Sequence, residues 1–155
     1  MKADDPRLEK ARRDAIERVT RINAMILTVL KNHLVVEQFM DEFLVASGQE
    51  VEGTFAQKVQ ASQCLKPPEI DEPIWNVLTA ANQLRNKIAH TLEQEEINKK
   101  ATEVRAAYLA ALSEKQRTHS KNVSDVDIAA SAFQLCAAYF VAATDTARSA
   151  KNVRG

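Results

Sequence analysis

The chain has 155 residues, of which 45% are hydrophobic and 27% are charged, so it is long enough for one globular domain with a buried core. Lys plus Arg and Asp plus Glu number 21 each, and the formal net charge is therefore zero. A protein that coats nucleic acid is usually basic, so this balance argues against that class and leaves only local contacts with phosphates. The chain has only three Gly and four Pro, which favours long helices.

The only two cysteines, Cys64 and Cys136, form no paired motif, so the sequence supports neither a zinc site nor a disulfide framework. Unpaired cysteines are typical of a reducing compartment. The N-terminus is charged and is not followed by an apolar signal core, and no apolar run approaches the length of a membrane span. We therefore expect a cytoplasmic protein with no membrane contact, no metal and no cofactor.

The N-terminal third of the chain has the apolar spacing of a long helix. Apolar residues recur at helical intervals from Pro6 to about Ser47, and Gly48 is a natural helix stop. The apolar stripe consists of Ile22, Met25, Ile26, Val29, Leu30, Met40, Phe43 and Leu44. This pattern predicts either one long helix or two joined helices. A short helix is predicted next, over about residues 55–65, and Pro67-Pro68 ends it.

Three further helices are predicted in the remainder of the chain. The first begins near Asp71–Pro73, where acidic residues and proline suit a first turn, and runs to about Leu92. The second spans roughly residues 95–113, and the third runs from an N-cap at Ser124 to about Ala150. A polar, basic link separates these last two helices. The sequence therefore predicts an all-α protein of about five helices.

Apolar residues line two sides of the last predicted helix. One side carries Ala129, Phe133, Cys136, Ala137 and Phe140. The other side carries Ile128, Ala132, Leu135, Tyr139 and Ala142. Apolar residues on two sides indicate burial on two sides. The helix is then either central to the domain or in contact with a second subunit on one side.

The helix predicted to start near Asp71 carries a polar row beside its apolar arc. The arc consists of Ile74, Val77, Leu78, Ala81, Leu84, Ile88 and Leu92. Arg85 falls at the edge of this arc, and Asn82, Asn86 and His90 follow one another at intervals of one helical turn. Arg85 and His90 are ~140° apart on an ideal helix, so one helix can place them only on the two flanks of a pocket. Two such helices related by a two-fold axis could line a shared cleft.

The side chains of Arg85 and His90 suit cleavage of a phosphate ester in RNA. A histidine with a near-neutral pKa can accept or donate a proton. An arginine can hold a phosphate and offset the negative charge that grows in the transition state, so no metal is needed. The alternative interpretation is a helix end with a structural arginine and a surface histidine.

His33 and Glu37 lie one helical turn apart within the apolar stripe of the first helix. Ionisable groups in such a stripe need partners. We expect Glu37 to hold Arg85 through charge-assisted hydrogen bonds and His33 to join this network. In the alternative, Glu37 reaches solvent or bonds only to His33.

Three other basic residues are candidates for phosphate binding. Lys87 belongs to the helix with Arg85, whereas Lys115 and Arg117 belong to the basic link before the last helix. A basic stretch of this kind either contacts phosphates or forms a solvated loop.

The segment Leu84-Arg85-Asn86-Lys87-Ile88-Ala89-His90 resembles the RNxxAH form of the Arg-x4-6-His motif of HEPN domains. A helix containing residues 33–44, a short helix near residues 54–60 and a proline-bearing break precede it. This layout is similar to the HEPN branch of mannitol operon repressor-like proteins. The resemblance covers about residues 25–112, with the helix of residues 124–150 as a final element, within a single domain of residues 1–155.

The resemblance implies an up-and-down helical bundle that forms a homodimer. Many HEPN proteins are metal-independent ribonucleases, often the toxins of toxin–antitoxin or phage-defence systems, which implies an RNA substrate and an antitoxin or regulatory protein as partner. In these proteins the arginine and histidine that match Arg85 and His90 are catalytic. Asn86 matches the polar residue after the arginine, and Glu37 loosely matches a polar residue that some members carry on an earlier helix.

The same resemblance also implies a second function. Members of the mannitol-repressor branch act mainly in transcription regulation and often lack a full motif. This chain has the full motif, which favours catalysis, whereas its zero net charge and the lack of an obvious basic surface weigh against it. The alternative is a non-catalytic regulatory or protein-interaction module.

Overall fold

In the computed structural model, which describes residues 2–155, all regular secondary structure is α-helical. The six helices are α1 (Pro6–Ala46), α2 (Phe55–Cys64), α3 (Glu72–His90), α4 (Gln94–Ala111), α5 (Glu114–Ser120) and α6 (Asp125–Arg154). The predicted all-α class is confirmed. The count of about five rises to six because a short helix occupies the segment that was predicted as a polar link.

Helix α1 is one continuous helix of 41 residues, the first of the two predicted alternatives. It ends where expected, because Gly48 adopts a φ of +80°, which favours glycine. The Gly48 N–H donates to the Val45 carbonyl at 3.0 Å, and the Gln49 N–H donates to the Leu44 carbonyl at 2.9 Å. This pair of bonds is a Schellman motif, which satisfies carbonyls that the helix end would leave free.

Helix α6 lies at the centre of the bundle and packs against α1, α3 and α4. Its residues Phe133, Cys136 and Phe140 are almost fully buried, and so are Ile128 and Ala132 on its other apolar side. Of the two predicted alternatives, the structure therefore has the central helix, and both sides are covered within one chain. Only the outer positions of the second side, such as Ala142, stay exposed.

Central placement also accounts for the apolar character of α6. Within residues 2–155 it is the one helix that is long and apolar enough, by length and composition, to cross a membrane. This helix departs from the expectation that no apolar run approaches the length of a membrane span. A helix that is buried in the core of a bundle needs the same apolar composition, so length and composition alone are weak evidence for a membrane span.

Helix α3 presents its predicted arc to this core. Ile74, Val77, Leu78 and Ile88 are buried, together with the Ala81 and Leu84 between them. The last predicted member, Leu92, is 63% exposed, so this part of the prediction was wrong. The helix ends at His90, and Leu92 lies in the link to α4 and no longer follows the helical period.

The short helix α5 replaces the predicted polar link because its first turn carries a capping box. The Ser113 hydroxyl accepts from the Gln116 N–H, and the Gln116 side chain accepts from the Ser113 N–H at 3.0 Å. The Ser-x-x-Gln spacing that forms this box is visible in the sequence. None of the residues of α5 is buried, so local capping is what specifies it.

Candidate functional site

Helices α1, α2 and α3 converge around an open depression of about 270 Å³, which we call the His33 pocket. Its walls are His33 and Glu37 of α1, Thr54, Phe55 and Ala56 at the start of α2, and Asn82, Arg85 and Asn86 of α3. Three of the residues that the sequence singled out on separate helices, His33, Glu37 and Arg85, therefore meet here. The N-terminus of α2 is part of the pocket and was not predicted.

A second depression, of about 350 Å³, lies on the other flank of α3, and we call it the His90 pocket. It is lined by Gln83, Asn86, Lys87, His90 and Lys100. Asn86 lines both pockets, so it marks the boundary between them. Arg85 and His90 thus open onto neighbouring depressions, as their separation of ~140° around the helix predicts.

His33 is 4% exposed, and its ring stacks on Phe55 with centroids 4.2 Å apart. The Nε2 atom is buried and has no well-directed hydrogen-bond partner in residues 2–155, although the Asn82 amide lies beside the ring. Burial lowers the pKa of His33, and the positive charge of Arg85 lowers it further, against smaller opposing effects of Glu37 and Asn82. The ring is therefore neutral at pH 7.

Arg85 is half-buried and forms no ion pair with a carboxylate in the part of the chain that the structure describes. Its Nη1 donates to the Asn86 side-chain oxygen at 3.3 Å, and its Nε is buried without a partner among residues 2–155. A guanidinium in this arrangement has hydrogen-bond donors left for a ligand. Carboxylates and phosphates are the ligands that it binds best.

The predicted ion pair between Glu37 and Arg85 is not formed. Lys58 of α2 takes the place expected for Arg85, and its Nζ donates to Glu37 Oε1 at 3.0 Å and to Asp41 Oδ2 at 3.2 Å. Although burial lowers the pKa of Lys58, the hydrogen bonds to Asp41 and Glu37 raise it overall. Glu37 still lines the pocket with Arg85, but its charge is offset by the lysine.

Sequence reasoning missed Lys58 because lysine is seldom buried. A signal was nevertheless present. Phe55, Lys58 and Ser62 follow one another at intervals of one helical turn, so the lysine shares the inward side of α2. Lys58 and Ser62 are the two buried residues of that helix.

His90 is exposed at the last turn of α3, and two lysines flank it in the His90 pocket. Lys87 pairs with Glu96 at 3.3 Å, and Lys100 pairs with Glu103 at 3.1 Å. Such partly exposed pairs are weak, so either lysine can exchange its carboxylate for a phosphate at little cost.

The two remaining candidates for phosphate binding are not brought to these pockets. Lys115 and Arg117 are exposed on α5, and neither lines the His33 pocket or the His90 pocket. The Arg117 Nε donates to the Leu112 carbonyl at 3.2 Å, which ties the arginine to the end of α4.

The side chains around both pockets are rich in hydrogen-bond donors. Within residues 2–155, no three of the side chains that commonly hold metals converge on one point. The arginine, lysine, histidine and asparagine side chains instead suit an anion that accepts hydrogen bonds, such as a phosphate ester.

Comparisons with models of known protein families, with curated protein sequences and with solved structures give no significant match. The HEPN resemblance therefore stands on the motif and the helix layout alone.

Proposed function

We propose that this protein is a metal-independent endoribonuclease of the HEPN type that uses Arg85 and His90. The observation that carries the proposal is the free guanidinium of Arg85 at an open pocket, with Asn86 at the boundary and His90 in the adjoining depression. A charged group that is half-buried without an acidic partner costs stability, and binding of an anion repays that cost.

In the proposed reaction an RNA phosphodiester lies across Asn86. Arg85 donates to a non-bridging oxygen and offsets the charge that grows on phosphorus. His90 takes the proton of the 2′-hydroxyl while the 2′-oxygen forms a bond to phosphorus and the bond to the 5′-oxygen breaks. The proton then passes to the departing 5′-oxygen, which leaves a cyclic phosphate and restores the neutral imidazole.

The remaining predicted residues act in support. Asn86 orients the Arg85 side chain, to which it is hydrogen-bonded at 3.3 Å. Lys87 and Lys100 supply positive charge beside His90 and hold the adjoining phosphate of the strand. Glu37 supports the site indirectly, because its ion pair fixes Lys58 and with it the start of α2.

We also propose that the protein acts as a homodimer through the solvent face of α1. Four exposed apolar residues of this face, Ile16, Leu27, Leu34 and Val45, are arranged symmetrically about the point between Leu30 and Lys31. Two antiparallel copies would place Ile16 against Val45 and Leu27 against Leu34. Residues 6–21 carry more basic than acidic side chains, and residues 32–46 carry acidic ones, so the antiparallel arrangement is also favourable in charge.

A toxin or phage-defence role, with an antitoxin as protein partner, follows from the same proposal through the HEPN resemblance. A cytoplasmic location fits the two free cysteines, Cys64 and Cys136.

One observation favours a non-catalytic regulatory or protein-interaction module as the second candidate. Arg85 and His90 open onto two different depressions of one chain, so a ligand could use either without the other. In that function Arg85 would bind an anionic ligand or partner, and His90 would have no chemical role.

A ribonuclease assay in the presence of a chelator tests the proposal. We expect His90→Ala and Arg85→Ala each to lower the cleavage rate by about 100-fold or more, the range for loss of an acid–base group or of a charge-stabilising donor. Arg117→Ala is the matched control, because this exposed arginine lies outside both pockets. Equal turnover by all four preparations would identify a contaminating nuclease. No cleavage of any RNA by the folded native chain would favour the regulatory module.

A further inference from the structure

The N-terminus of α2 faces the His33 pocket with backbone donors. Thr54 caps this helix of 10 residues, and its hydroxyl accepts from the Gln57 N–H at 3.2 Å. The capping box uses the N–H groups of Thr54 and Gln57, while those of Phe55 and Ala56 belong to the first turn and have no carbonyl of the helix to bind. Both residues line the pocket, where the positive end of the helix dipole favours an anion.

A second and independent observation lies on the opposite wall. His33 lines the pocket and is 4% exposed, and its buried Nε2 has no well-directed partner among residues 2–155. A buried polar atom in this state costs free energy that a ligand can recover. The adjacent Arg85 Nε is buried and unpartnered within the same described residues.

The charges around the pocket also favour an anion. Arg85 brings a full positive charge that no carboxylate offsets in residues 2–155, and Asn82 and Asn86 bring neutral amide donors. Glu37 is the one acidic residue of the lining, and the Lys58 ammonium offsets it at 3.0 Å. Lys58 is shared between Glu37 and Asp41, so both carboxylates are engaged by the lysine, whereas Arg85 has no carboxylate partner in residues 2–155.

We propose that the His33 pocket is a binding site for one phosphoryl group, held by Arg85, His33, Asn82 and the N-terminus of α2. The site shares Arg85 with the proposed cleavage, but it uses neither His90 nor the His90 pocket. With a volume of about 270 Å³, the pocket has room for a phosphoryl group. The phosphoryl group comes from a nucleotide or RNA end, or from free phosphate.

Binding of the phosphate also changes the protonation of His33. An anion near the ring favours its protonated form, so binding raises the pKa of His33. The other ionisable groups at the ring are Arg85 and Glu37, with Lys58 and Asp41 behind Glu37.

Titration of the full chain with inorganic phosphate, followed by amide and imidazole NMR signals at constant ionic strength, tests the proposal. We expect saturable shifts at Phe55, Ala56 and the His33 ring. Asn82→Asp adds a negative charge to the pocket without a change of shape, and we expect it to weaken binding by about tenfold or more. Asn76→Asp makes the same change at an exposed position of α3 and should leave the affinity within about twofold of that of the native chain.

Two further comparisons separate this site from the proposed function and identify the source of the phosphoryl group. His90→Ala should bind phosphate like the native chain even if it cleaves no RNA. Short RNAs with a 5′-phosphate should compete with free phosphate, and the same RNAs with a 5′-hydroxyl should compete less if the terminal group is bound. The absence of saturable shifts at Phe55 and Ala56, or equal affinity of Asn82→Asp and the native chain, would overturn the proposal.

Discussion

Burial of an ionisable ring, His33, against Phe55 makes the stability of this fold depend on pH. The pKa of His33 in the folded chain is lowered from 6.5, so the unfolded chain binds more protons once the pH falls below that value. The contribution of His33 to stability is therefore fully present above pH 6.5 and decreases as the pH falls through the lowered pKa.

We expect His33→Gln to remove this part of the pH dependence, because glutamine does not titrate. Denaturant unfolding between pH 5 and 8, in a buffer without phosphate, measures the effect. His119→Gln, at an exposed histidine of α5, should keep the native profile. If the free energy of unfolding changes with pH in the same way in the native chain and in His33→Gln, the ring of His33 is solvated in the folded chain.

The buried lysine of α2 is the second residue with a large expected effect. Lys58→Met removes the partner of Glu37 and Asp41 and leaves two carboxylates side by side at a partly buried position. We expect a loss of about 1–3 kcal/mol in the free energy of unfolding. Lys99→Met, at an exposed position of α4, should change it by less than about 0.5 kcal/mol. A similarly small change in the free energy of unfolding of both variants would show that the contacts of Lys58 with Glu37 and Asp41 contribute no stability.

At the scale of the element, Gly48 determines where α1 ends. Its φ of +80° is unfavourable for residues with a Cβ, and no atom lies within 4 Å of the place where a Cβ would stand. Gly48→Ala should therefore destabilise the protein by about 1 kcal/mol through backbone conformation alone.

Gly48→Asn is the matched variant, because asparagine tolerates the left-handed region better than alanine does. We expect its loss of stability, measured by thermal or denaturant unfolding, to be the smaller of the two. A greater loss for asparagine would mean that side-chain contacts, and not the backbone angle, dominate at this turn.

At the scale of the whole molecule, α1 extends beyond the bundle that it helps to form. Its residues from Pro6 to Arg21 are all exposed, and its first buried residue is Met25. At 1.5 Å per residue, its 41 residues span roughly 60 Å, so the helix offers a long surface to a partner.

We expect the proposed antiparallel contact between two α1 helices to depend on Leu27 and Leu34, which are 69% and 66% exposed. Leu27→Glu or Leu34→Glu places a charge in the apolar contact and should weaken the dimer by about 100-fold. Sedimentation over a range of concentrations measures the change. Leu92→Glu, 63% exposed outside α1, is the control and should dimerise like the native chain. A native chain that stays monomeric at high concentration would contradict the contact.

The sequence by itself determined five of the six helices and several of their ends. The apolar period fixed the buried arc of α3, Gly48 fixed the end of α1, and Ser124 fixed the start of α6, where its hydroxyl accepts from Asp127. Each of these features depends on residues within one or two turns of each other, so a local pattern is enough to predict them. The position of Arg85 and His90 on opposite flanks of α3 follows from the same local geometry.

Only the tertiary structure decided which helix faces meet. Glu37 pairs with Lys58 rather than with Arg85, and that exchange leaves the guanidinium free beside His33 and the first turn of α2. Such pairings join residues that are far apart in the chain, and their energy depends on burial and direction that no local pattern contains. The motif could therefore be located from the sequence. The His33 pocket, in contrast, depends on how α1, α2 and α3 pack, which places Arg85 beside His33 at an open depression.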